Sequence, residues 1–147
     1  MKTAPATVRL ASSAADRDAA IALRIDVFVR EQGVPEDEER DALDASAIHA
    51  VALLDGKVVG TGRLVVLDSR QGKIGRMAVE RRLRRGGIGS QLLRLLEDEA
   101  RNRGLREAVL HAQTYVQAFY AGRGYLAEGD VFKEAGIDHV KMRKRLV

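Results

Sequence analysis

The stretch IGRMAVERRLRRGGIGSQLLRLLEDEARNRG, residues Ile74–Gly104, decides the fold of this chain. Its first residues, within KIGRMAV (Lys73–Val79), read as a strand, and its end reads as a helix. The helix begins near Ile88, where Ile88, Leu92, Leu95 and Leu96 recur at i, i+4, i+7 and i+8, the spacing of one helical face. Arg101 and Arg103 precede Gly104, a basic last turn followed by a glycine stop, with Leu105 placed as the cap's apolar contact. Between strand and helix lie Arg81, Arg82, Arg84 and Arg85, then Gly86, Gly87 and Gly89. Charge and backbone freedom at a helix start have three readings: a nucleic-acid patch, a phosphate cradle, or a solvated basic turn.

Working outward, ATVRL (Ala6–Leu10) reads as a strand and Ser12 or Ser13 as the cap of a helix over Ala15–Arg30. Ile21, Ile25, Phe28 and Val29 form its expected core stripe. EQGVPEDEERDALDAS (Glu31–Ser46) is polar and acidic with Gly33 and Pro35, and reads as a loop. HAVALL (His49–Leu54) and KVVGTGRLVVL (Lys57–Leu67) are strands joined by Asp55-Gly56, a dipeptide suited to the positive φ angles of a tight hairpin. Beyond the central helix, EAVLHA is a buried strand, YVQAFYAG a short helix, and GYLAE and HVKMRKRLV the final strands. Strands before and after each long helix define an α/β (α+β) domain with a mixed sheet.

At 147 residues, 46% hydrophobic and 31% charged, the chain fits one domain with a sizeable core. No apolar run approaches the ~20 residues of a membrane span, and the amino end lacks a signal-peptide pattern, so the expected location is cytoplasmic. Zero cysteine removes thiolate chemistry and disulfides, and three scattered histidines argue against a structural zinc site, so no metal is expected. A net charge of +4 favours an anionic partner without choosing between nucleic acid and a phosphorylated cofactor. An aromatic content of 4% and the acidic block Glu36–Asp44 argue against a continuous nucleic-acid face.

The glycine loop lacks the lysine and hydroxyl residue of a P-loop. Dinucleotide glycine spacing fails too, because Gly87-Ile88-Gly89 is followed three residues on by Leu92, and Gly60-Thr61-Gly62 by Val65. What remains is R-x-x-G-x-G at Arg84, Gly87 and Gly89, where bare backbone N–H groups and a positive helix end suit a diphosphate.

With these residues in place, the chain resembles the GNAT superfamily of acetyl-CoA-dependent acyltransferases along nearly its whole length. Ile74–Gly104 is similar to the family's cofactor motif, and AVLHAQTYVQAFYAGRGY (Ala108–Tyr125) to the adjoining one. LRIDVFVREQGVPEDEERDALDASAIHAV and FKEAGIDHVKM are similar to the ElaA/YjcF-like small bacterial acetyltransferases. The resemblance implies a single domain over 1–147 with a mixed, mostly antiparallel sheet flanked by helices. It implies an N-acetyltransferase that moves an acetyl group from acetyl-CoA to an amine acceptor, with a homodimer as one assembly. Cofactor contacts are expected from Met77, Ala78 and Val79 on the strand, from Arg84, Arg85, Gly86, Gly87, Ile88, Gly89 and Ser90 in the loop and helix start, and from Gln113. Tyr120 takes the position of the acid that protonates the departing thiolate.

The chemistry needs a neutral amine, a donor to the oxyanion and a proton for sulfur. With no cysteine, direct attack in a ternary complex is expected. Glu31 and His49 are the leading general-base candidates. Arg24 and Glu31, seven residues apart, lie within about 20° of each other around the first helix, beside Phe28. A backbone N–H of Met77–Val79 suits the oxyanion, and a tyrosine of pKa ~10 meets a thiolate of pKa ~8.5 in a slightly uphill transfer. Arg24, Phe28, Gln32, Arg63, Arg76 and His139 are the expected acceptor contacts, whereas His111 reads as a satisfied polar group on a buried strand. A non-catalytic CoA-binding regulator or a weak nucleic-acid binder stays open as the alternative.

Overall fold

The computed structural model describes residues 6–147; the first five residues of the single domain expected over 1–147 lie outside them. A seven-stranded sheet runs β1 (Thr7–Leu10), β2 (Ile48–Leu54), β3 (Lys57–Val66), β4 (Gln71–Val79), β5 (Glu107–Gln113), β7 (Ile137–Arg145) and β6 (Leu126–Glu134) in spatial order. Every neighbouring pair is antiparallel except β4 and β5. That parallel pair requires a crossover, which is α3 (Ile88–Asn102), while α1 (Ala14–Arg24) covers the opposite face. Leu92, Leu93 and Leu96 of α3 bury against Ala50, Val59, Leu64 and Ile74 of the sheet. The mixed, mostly antiparallel sheet with helices on both faces is the architecture expected from the sequence.

Three local features differ from expectation or refine it. First, the helix over Ala15–Arg30 begins at Ala14, capped by Ser13, and after Arg24 widens into π-helical turns over Ile25–Glu31. Its fully buried residues are Ala20, Leu23, Arg24 and Val27, not the stripe Ile21, Ile25, Phe28 and Val29, which is only half-buried. The face is rotated because Arg24 itself turns inward to meet carboxylates. Second, the acidic loop is built of α2 (Glu36–Glu39) and a 3₁₀ turn over Ala42–Ala45. Arg24 Nε bonds Glu39 at 2.6 Å and its Nη1 bonds Asp44 at 2.7 Å, while Arg63 bonds Asp41 and Asp44 at 2.8 Å each. Third, GYLAE and HVKMRKRLV are the outer parts of a longer hairpin, β6–β7, which turns at Ala135 (φ 52°) and Gly136 (φ 76°). The Asp55-Gly56 hairpin forms as expected, with φ of 52° and 77°.

The feature that creates the site is a parting of strands. β4 and β5 pair only from Gln71–Lys73 to Glu107–Val109. Beyond Lys73 a bulge turns β4 away: Gly75 pairs with Arg63 and Ala78 with Thr61, so Arg76 and Met77 stand opposite the single Gly62. Arg76 holds the left-handed backbone of that bulge at φ 53°. The facing edges of β4 and β5 therefore open into a cleft with their backbone groups free of ladder partners.

Candidate active site

The cleft measures about 990 Å³ and is lined from β4, β5, the loop before α3, the helix after β5 and the β6–β7 turn. Side chains alternate across the sheet, which gives the cleft two unlike sides. On the α3 side lie the glycine loop and Tyr120; on the α1 side lie Lys73, His111, Glu134 and His139.

On the α3 side, Arg85 (φ 69°) and Gly87 (φ 89°) both adopt left-handed backbone, turning the chain tightly into α3. None of the amides from Arg85 to Ser90 finds a backbone or side-chain acceptor among the described residues. A helix start leaves its first N–H groups unpaired, and here they are joined by those of the loop. A diphosphate fits this array: the amides supply donors, the helix end supplies partial positive charge, and Arg123 stands beside it, bonded to Ser90 Oγ at 3.1 Å. Of the expected cofactor contacts, Arg84, Arg85, Gly87, Ile88, Gly89 and Ser90 line the cleft, whereas Gly86 is outside the lining. Arg84 contributes its backbone, because its guanidinium bonds Glu31 at 2.6 and 2.9 Å and the Val79 carbonyl at 2.9 Å.

Met77, Ala78 and Val79 line the parted edge of β4. Tyr120, on α4 (Gln117–Ala121), is buried beside Phe119 and Tyr125, and its hydroxyl bonds no protein group among the described residues. Burial, with a smaller contribution from Tyr115, pushes this phenol up to about 12, so it is protonated throughout the physiological range. At the cleft mouth Gln113 Nε2 donates to Gln32 Oε1 at 2.9 Å, and Gln32 Nε2 donates to Tyr115 Oη at 3.2 Å. Phe28 of the π-helical segment and Gln32 just after it reach the cleft.

Several expected acceptor-side residues stand elsewhere. Arg24 and Arg63 are buried in the ion cluster and face Glu39, Asp41 and Asp44 instead of the cleft. His49 is buried with them, its Nε2 2.9 Å from the Asp44 carbonyl oxygen. Glu31 lies outside the lining, and the Arg84 hydrogen bonds hold its carboxyl below its ordinary value, which weakens it as a base. Arg24, Arg63 and His49 bond the acidic segment Glu39–Asp44 instead, and Glu31 bonds Arg84. Arg76 does line the cleft, and also bonds the Glu39 carbonyl at 3.1 Å.

Unforeseen in the sequence are Lys73, His111 and Glu134. Glu134 Oε1 lies 3.1 Å from His111 Nδ1 and its Oε2 lies 3.6 Å from His139 Nε2. Phe132 packs edge-on against His111 at 5.0 Å and stacks on His139 at 6.0 Å, fixing both rings. Burial raises the Glu134 carboxyl, but its hydrogen bond with His111 and the positive field around it outweigh that, leaving it below the ordinary value. The A-G pair at 135–136 was the available signal, since that turn folds Glu134 back beside His139.

A sheet parted at a bulge, an amide-rich glycine loop on the crossover helix, and a buried protonated tyrosine across the gap are the features of an acyltransferase fold. The chain belongs to the GNAT acetyltransferase family, whose domain model matches residues 13–146. Among its relatives is the N-acetyltransferase YjcF of Bacillus subtilis, itself uncharacterised, 39% identical over 83% of this chain and 87% of that protein. An acyl-CoA N-acyltransferase of Pseudomonas aeruginosa superposes with a TM-score of 0.83 at 29% identity, over 95% of this chain and 99% of that one. Escherichia coli ElaA superposes equally, with a TM-score of 0.83 at 26% identity and the same coverage. Among the described residues no helix is long and apolar enough to cross a membrane, and no group of three or more His, Asp or Glu could hold a metal ion.

Proposed function

We propose that the protein is a cytoplasmic N-acetyltransferase that moves the acetyl group of acetyl-CoA to an amine by direct attack within a ternary complex. The observation that carries this reading is the run of unpaired amides from Arg85 to Ser90 opening onto a cleft that also receives the Tyr120 hydroxyl. Acetyl-CoA, as donor substrate, supplies the activated thioester. The loop amides bind its pyrophosphate, and the unpaired edge of β4 at Met77–Val79 pairs with its amide-bearing arm as an added strand would. An N–H on the same edge donates to the oxyanion that develops on the acetyl carbonyl.

The amine nitrogen bonds to the acetyl carbon as the carbon–sulfur bond breaks. Tyr120 gives its proton to the sulfur. A phenol at about 12 facing a thiol of ordinary pKa ~8.5 makes complete transfer steeper than the unperturbed values imply. Transfer is therefore completed late, after the Tyr120 hydrogen bond has strengthened with the charge growing on sulfur. Thiol release from acetyl-CoA is the test: Tyr120→Phe is expected to lower turnover about 100-fold or more while leaving acetyl-CoA affinity within about twofold. Equal turnover by parent and variant would overturn the role of Tyr120, and no thiol release with any amine by a protein that binds acetyl-CoA would favour a regulator.

A further inference from the structure

We propose that His111 is the general base of the reaction, held in its working tautomer by Glu134, and that the acceptor is a basic aliphatic amine arriving as an ammonium. The inference rests on the acetyltransferase reading above.

Glu134 is ionised and can only accept, so the 3.1 Å contact assigns the proton to His111 Nδ1. Nε2 then carries the lone pair. It has no protein partner among the described residues, on a ring that lines the cleft and is 27% exposed. His139 has a matching arrangement: Nδ1 donates to the Ile137 carbonyl at 2.7 Å, so in the neutral ring Nε2 is also an acceptor. With that ring neutral, this nitrogen and Glu134 Oε2, 3.6 Å apart, are two acceptors that an ammonium beside them satisfies with two N–H groups. A carboxylate-backed imidazole is needed only if the amine must first be deprotonated, which identifies a basic aliphatic acceptor rather than one already neutral near pH 7.

The groups around His111 are Glu134 on β6, His139 and Lys141 on β7, and Lys73 and Arg76 on β4. Lys141 pairs across the strand with His111 but directs its ammonium to Glu128, 3.8 Å away. Lys73 and Arg76 oppose accumulation of positive charge, which favours prompt release of the captured proton. The balance is complete: the ammonium and acetyl-CoA yield the amide, CoA thiol and one proton. His111 Nε2 takes the first proton from nitrogen and passes it to solvent. The second, lost after attack, replaces the one that Tyr120 gives to sulfur.

Two readouts on the full chain test this. In the ¹⁵N imidazole spectrum at about pH 8, His111 in the parent is expected as the neutral Nδ1–H tautomer, and Glu134→Gln is expected to mix or reverse it. An Nε2–H tautomer at His111 in the parent would overturn the proposal. Thiol release is then compared for propylamine, mostly ammonium at neutral pH, and hydroxylamine, mostly neutral there. His111→Gln is expected to cost about 100-fold or more with propylamine and less than about threefold with hydroxylamine; Glu134→Asp should retain the propylamine rate and Glu134→Gln lose it. Equal losses with both amines would contradict a base role. If His111 carries Nε2–H while acetyl-CoA still binds, only the base assignment falls; if the folded parent binds no acetyl-CoA, the acetyltransferase reading falls with it.

Discussion

The two sides of the cleft are built by different means. The α3 side is backbone: consecutive amides, two left-handed residues and a helix start, all within one short run of chain. The α1 side is side chain: Lys73, His111, Glu134 and His139 come from four strands, over an acidic segment pinned by buried arginines. A backbone cradle suits a group that is the same in every reaction, while side chains from distant strands can change one at a time as the acceptor changes. The two sides should therefore fail separately.

The largest separation is expected from Arg24→Met. The Arg24–Glu39 pair is 1% exposed at both ends, so removing the cation leaves the buried Glu39 carboxylate without its close partner, at about 3–5 kcal/mol. Denaturant unfolding should show that loss. In the fraction that remains folded, acetyl-CoA affinity should be near the parent's while acceptor KM rises. Equal damage to both would dissolve the distinction between the sides.

Acid should reproduce this more gradually. The Asp41 and Asp44 carboxyls are held below their ordinary values: burial opposes this at Asp44, but hydrogen bonds and charge from Arg24 and Arg63 outweigh it. Carboxyls depressed in the folded state stabilise it above their unfolded pKa of ~3.9, and that stability is lost as pH falls below it. Stability measured between about pH 6 and pH 3 should decline chiefly below pH 4, and Asp44→Asn should flatten the decline. An equally steep curve in that variant would assign the acid sensitivity elsewhere.

The smallest effect is expected from Glu31→Gln. Its ion pair with Arg84 links the π-helical segment to the glycine loop, but both side chains are about a third exposed, at 30% and 36%. Such a pair contributes at most about 1 kcal/mol. Turnover should change less than about threefold; a pH-dependent collapse would restore Glu31 as the base.

This contrast also explains what the sequence made legible. Ile74–Gly104 carries strand, loop and helix in register with their own periodicities, and the chain folds there as the pattern reads. Arg24 and Arg63 were expected at the acceptor site, yet a cation near a cleft and one paired internally look alike until the partner segment is placed. Here that segment is Glu39–Asp44, which composition alone marks as a polar loop. Glu134 was invisible for a different reason. β6 is an edge strand exposed along most of its length, so its residues lack alternation, and only closure of the Ala135-Gly136 turn sets Glu134 beside two imidazoles from β5 and β7. The missing information was pairing between strands, which no local period encodes.

The claim on which the rest depends is that the glycine loop holds the CoA pyrophosphate. Gly89 is the position to test, because a Cβ there meets only Phe119, at an ordinary 3.6 Å, whereas Gly87 at φ 89° is strained by any side chain. Calorimetric titration of the parent and of Gly89→Glu with acetyl-CoA, each checked for unchanged thermal unfolding, is the direct measurement. The parent is expected to bind saturably, and the variant with an affinity lower by about 100-fold or more, roughly 3 kcal/mol. Equal affinities in two folded proteins, or no binding by the parent, would contradict that claim.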